Sequence, residues 1–140
     1  MMHLLDRLAD AKQRLEPHRT EYAVVYEDVD MDCCAVMHPD PHAMAALIDG
    51  GVFPPVWVYW ELAKDEAQPD FKRHTRGYLL HDTPREGPKT EEEALLYLIM
   101  KDVPQHIWRN YETSNSVKMK IIRREQQPDR EFRNAWRIAA

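Results

Sequence analysis

Glu21-Tyr22-Ala23-Val24-Val25-Tyr26-Glu27 is a run of β-branched and aromatic side chains long enough for a strand. Beyond it, Asp28–Asp32 alternates acids with Val29 and Met31, which suits a turn or a strand extension. Cys33–His38 then supplies a second short strand, the return arm of a hairpin. A hairpin this early in the chain calls for an antiparallel or mixed sheet.

The flanking segments add helices and further strands. Upstream, residues 3–16 read as an amphipathic helix: Leu4, Leu8, Ala11 and Leu15 recur at helical spacing, Leu5 stands beside them, and charges lie opposite. Pro17 stops it. Downstream, Pro39 and Pro41 bracket an extended link, and His42–Asp49 reads as a short helix with Pro41 at its first position and Gly50-Gly51 at its end. Val56–Leu62, VWVYWEL, is the strongest strand signal. Lys64–Arg76 and Thr83–Lys89 read as loops around a short strand at Gly77–His81. Thr90 with Glu93 forms a capping box, and three glutamates occupy the positive first turn of the helix that follows, which Pro104 ends. Val103–Tyr111 has room for one more turn. Ser116–Glu125 alternates as a strand with Val117, Met119 and Ile121 on one face, and Asp129–Ile138 closes as a helix. The expectation is one α+β domain over residues 1–140: a single mixed or antiparallel sheet of about four to five strands covered by three to four helices. Residues 116–140 form its basic strand–helix C-terminal segment.

Composition narrows the class of function. A chain of 140 residues buries roughly two-thirds of its unfolded surface, and 44% hydrophobic residues suffice for a core. Mean hydropathy of −0.67 keeps it soluble. Only four glycines argue against phosphate-cradling loops. No window approaches the roughly 20 apolar residues of a membrane span, and the charged N-terminus is no signal peptide. Cys33 and Cys34 are adjacent, where a bridge is strained, so two free thiols point to a reducing, cytoplasmic compartment. Lys118–Ala140 holds seven Lys/Arg against three Asp/Glu, a net +4, which leaves −9 on residues 1–117. An acidic body with a basic tail implies an intramolecular clasp or an anionic partner.

Chemistry-bearing clusters are few. Cys33, Cys34, His38, Asp40 and His42 are zinc-ligand types, but adjacent residues of a strand face opposite ways and Pro39-Asp40-Pro41 holds the two histidines apart. No nucleophile elbow or P-loop is present, and Glu91–Glu93 is explained by the helix dipole. In a strand, Val56, Val58, Trp60 and Leu62 take one face and Trp57, Tyr59 and Glu61 the other. With both faces covered this is a central strand; with one face open, Trp57 and Tyr59 form an aromatic patch of the kind interfaces use. Lys118, Lys120, Arg123 and Arg124, with Phe132 and Trp136, resemble a nucleic-acid footprint, which a pI near 5.8 opposes.

In the last segment Phe132, Ala135, Trp136 and Ala139 form an apolar helical stripe flanked by Arg130, Arg133 and Arg137. So short a helix must dock, on its own domain or in a partner's groove. Pro128-Asp129-Arg130-Glu131-Phe132-Arg133-Asn134-Ala135-Trp136 resembles a Pro-x-Arg-x-Phe-Arg-x-Ala-Trp signature of small phage and prophage proteins encoded among tail or late structural genes. In those proteins a helix ending in Asp-Val-Pro and a strand precede the signature, as Asp102-Val103-Pro104 and Ile121-Ile122-Arg123-Arg124 do here.

The resemblance implies a phage or prophage origin and assigns no activity; the reading taken with it is a non-enzymatic accessory protein that acts by protein–protein binding, in tail assembly or as a virion component, in the host cytoplasm or the virion. The alternatives are an inhibitor of a host defence system and a small enzyme using Cys33, Cys34 or a metal at His38, Asp40 and His42. No cofactor, nucleic acid or membrane is expected. The expected partner-binding residues are Trp57, Tyr59, Arg130, Phe132, Arg133 and Trp136.

Overall fold

The computed structural model describes residues 4–31, 34–66 and 85–126. They form an α+β fold with one three-stranded antiparallel sheet and five α-helices. Two compact units divide the chain. One gathers the described residues up to Arg19 and from Asp40 to Tyr97; the other takes Thr20 to Pro39 and continues from Leu98.

The first unit is helical. Helix α1 (Leu4–Arg14) carries Asp6 in its first turn and Lys12 and Arg14 in its last, charges that suit the helix dipole. Leu4 and Ala11 are buried, as their spacing predicts. Helix α2 (Pro41–Asp49) begins where expected, with Pro41 in its first turn and Asp40 as its cap, and buries Met44, Ala45, Ala46 and Leu47. Gly50 ends it at φ 83, where its N–H donates to the Ala46 carbonyl.

Helix α3 (Trp57–Glu66) overturns the strand expected at Val56–Leu62, and also the loop expected from Lys64. Val58 and Tyr59 N–H groups donate to the Pro55 and Val56 carbonyls, closing the first turn directly after Pro54-Pro55. Glu61–Glu66 reads ELAKDE, mostly strong helix formers, and the β preference of the aromatic half is a context-dependent effect of about 1 kcal/mol. Helix α4 (Glu91–Asp102) has the capping box in full. Thr90 Oγ1 accepts from Glu93 N–H at 3.1 Å, and Glu93 Oε1 accepts from Thr90 N–H at 3.0 Å. The Thr90 backbone N–H, and after it the Thr90 hydroxyl, hold the Glu93 carboxyl below its ordinary pKa. Residues of α4 up to Tyr97 count with the first unit and those from Leu98 with the second.

The second unit holds the sheet. Strand β1 (Tyr22–Asp28) is central, with β2 (Ala35–Met37) on one side and β3 (Val117–Arg123) on the other, both antiparallel. Ala23, Val24 and Val25 are 0–1% exposed, so β1 is shielded on both faces. Val25 and Cys34 form a buried cluster with Val36 and Ile122 against it. Helix α5 (Gln105–Asn110) follows Pro104, buries Ile107 and packs on β3 and β1. A 3-10 turn, Arg124–Gln126, follows β3. The described sheet thus has three strands, not four or five, and the described helices number five, not three to four. The short strand expected at Gly77–His81 and the helix at Asp129–Ile138 lie outside the described residues.

Candidate functional site

A helical α3 rearranges the aromatic candidates. Residues two apart on a helix stand about 200° apart rather than on one face. Trp57 is 48% exposed, Val58 is fully buried, and Tyr59 is half-buried against Leu4 and Val58. Tyr59 also meets the Phe53 ring, centroids 6.5 Å apart. The expected Trp57–Tyr59 patch is therefore corrected: Tyr59 turns inward, and the residues sharing Trp57's outer face are Trp60 and Glu61, three and four positions on.

Arg7 of α1 lies in the same unit and is only 6% exposed. Burial lowers the pKa of its guanidinium most, and the like charge of Arg85 lowers it further, while Tyr59 acts in the opposite sense. Arg7 follows Leu4 by three positions, so it borders the apolar stripe and is covered along with it.

The histidine segment has a structural occupation. Asp40 Oδ1 accepts from His42 N–H at 3.1 Å, which makes it the cap of α2. His38 is exposed just past β2. Among the described residues no three His, Cys, Asp or Glu side chains are grouped to hold a metal ion. Cys34 is 2% exposed inside an apolar cluster. Cys33, Arg130, Phe132, Arg133 and Trp136 lie outside the described residues.

One pair escaped the sequence reading. His106 of α5 and Asp28 at the end of β1 are hydrogen-bonded, Nε2 to Oδ2, at 2.7 Å. They are 78 positions apart, and no spacing rule joins them. Asp28 lines a cleft of about 130 Å³ with Glu27, Val29, Asn115, Ser116 and Lys118. The hydrogen bond from His106 is the first cause holding the Asp28 carboxyl below its ordinary value of 3.8. A depressed carboxyl pKa contributes stability above its unfolded-state value, lost as pH falls through the folded one. His106→Ala should therefore move the Asp28 titration upward, as carbon-detected NMR of the carboxyl would read; an unmoved midpoint would discount the pair. Asp–His pairing can orient a base, but among the described residues no hydroxyl or thiol is hydrogen-bonded to His106, and its side chain is 57% exposed.

Strand alternation splits the basic residues of β3. Lys118 and Lys120 share one face with Ile122; Arg123 takes the other, where its Nη1 meets Glu21 Oε2 at 3.1 Å and its guanidinium lies over the Tyr22 ring. No described helix is long and apolar enough to cross a membrane. No protein-family model, curated protein or solved structure matches this chain.

Proposed function

We propose that this chain works by binding another protein rather than by catalysis, as an accessory protein of a phage or prophage in tail assembly or in the virion. The observation that supports binding is Trp57, an indole 48% exposed on a helix whose next residue, Val58, is fully buried. Tryptophan is the residue type most enriched at interface hot spots, and its exposure in a solitary chain is relieved by a partner. The phage assignment rests on the resemblance of Pro128–Trp136.

The test separates folding from binding. Tagged full-length protein, produced in lysogenic cells, should co-purify with a phage structural protein. Trp57→Ala should keep the melting temperature and weaken that complex by at least about 2 kcal/mol, roughly thirtyfold in Kd. Equal retention by the variant would place the contact elsewhere, and the absence of any phage protein would remove the reading.

A further inference from the structure

Strand β3 is an edge of the described sheet, and its hydrogen-bond parity shows which backbone groups it leaves outward. Val29 N–H donates to the Ser116 carbonyl, and Arg124 N–H donates to the Glu21 carbonyl. Both pairs keep the β1–β3 register in which Val24 faces Ile121. In an antiparallel ladder, residues that bond across the pair alternate with residues whose N–H and C=O point away. The even-numbered residues of β3 thus bond to β1, and Val117, Met119, Ile121 and Arg123 direct their backbone groups to the open edge. Arg123 confirms this parity, because its N–H is met from outside the ladder by Gln126 Oε1 at 3.1 Å.

The side chains beside that edge are of two kinds. Lys118 and Lys120 lie on one face, Lys120 exposed. Met119 and Ile121 lie on the other, Ile121 50% exposed. Residues 117–124 contain four cations and no acid.

We propose that the edge β3 leaves open among the described residues takes up an extended segment of a partner protein that alternates acidic and apolar residues. Backbone bonds would form with Met119 and Ile121, carboxylates would meet the lysine face, and apolar side chains would cover Met119 and Ile121. A second copy's β3 is the wrong occupant, because it would set Lys120 and its neighbours against the same cations. Edge lysines also guard sheets against self-pairing; that role alone leaves the edge without a ligand. This inference concerns a different element from Trp57 and does not rest on it.

The probe is a fluorescent acetyl-Glu-Val-Glu-Val-Glu-Val-Glu amide titrated into the full-length protein. Saturable binding is expected, weakened about tenfold by Lys120→Glu and by high salt. Ile121→Pro deletes one outward N–H and spares the ladder to β1, so the sheet should persist and binding should vanish. The same peptide N-methylated at every residue has no N–H to donate from either edge and should not bind, which tests the idea even where the proline variant misfolds. Binding that survives N-methylation would reduce the effect to charge attraction and overturn strand addition. Equal affinity for oligo(dT), indifferent to Ile121→Pro, would make the edge a nucleic-acid surface. No binding of the acidic peptide would leave only the guarding role.

Discussion

Gly50→Ala is expected to destabilise the protein by about 2–6 kcal/mol, from a backbone conformation closed to alanine and a collision that cannot relax. Gly50 sits at φ 83 and ψ 169, a region that essentially only glycine occupies. A Cβ there would lie 2.5 Å from Pro88 N and 2.8 Å from Gly87 C, backbone atoms with no rotamer to change. That stretch is anchored on both sides. Gly51 N–H donates to the Glu86 carbonyl, Glu86 N–H to the Phe53 carbonyl, and Lys89 N–H to the Leu47 carbonyl. Gly51 is the internal control. Its φ is 74, yet nothing lies within 4 Å of a Cβ, so Gly51→Ala should cost only the left-handed backbone term, about 1–2 kcal/mol. Urea unfolding of both variants, with m-values unchanged, would read the difference. Equal losses at the two positions would show that steric contact with the Gly87–Pro88 backbone is not what fixes Gly50.

The features legible in the sequence are those carried by neighbouring residues. The hairpin of β1 and β2 depends on pairs no more than thirteen apart, such as Val24 with Met37. The capping box at Thr90 and Glu93 and the bracket of Pro41 and Gly50 around α2 depend on contacts a few residues away. So does the cap at Asp40: an aspartate before a proline and a helical run is itself a start signal, and weighing it as a metal ligand passed over that local role. The pairing of β1 with β3 joins Tyr22 to Arg123 and has no local signature. The Asp28–His106 pair depends on that same long-range closure, since α5 packs on both β1 and β3. Trp57 was legible as a candidate by residue type alone. Its exposure follows from helical rotation, which the alternating apolar letters of VWVYW concealed. Arg7 shows the converse, a charged residue drawn under cover because the stripe it borders is wider than its leucines.

Val58→Asp against Trp57→Asp is the sharpest trial of that rotation. Val58 is 0% exposed and packs with Leu4, with Leu8 and Tyr59 against the pair. A carboxyl placed there must take a proton or lose its hydration. Neutralising an aspartate at pH 7 against an ordinary pKa near 3.9 costs about 4 kcal/mol. The lost valine burial adds about 1.5–3 kcal/mol. Together these approach the whole of the roughly 5–15 kcal/mol that holds a domain folded. The buried carboxyl's folded pKa would be raised above the unfolded one, so stability should be recovered as pH falls toward 4 and lost as it rises. Trp57→Asp should do none of this. Position 57 faces outward and opens the helix, and the first turn of α3 has no acid of its own, so a carboxylate there meets the positive end of the dipole. Its net effect should stay within about 1 kcal/mol. In a strand at Val56–Leu62 the two positions would lie on opposite faces of a sheet, and a central strand would punish both substitutions. Thermal unfolding at pH 7 and pH 4 distinguishes the cases: a loss at Trp57→Asp matching that at Val58→Asp would return this segment to the sheet.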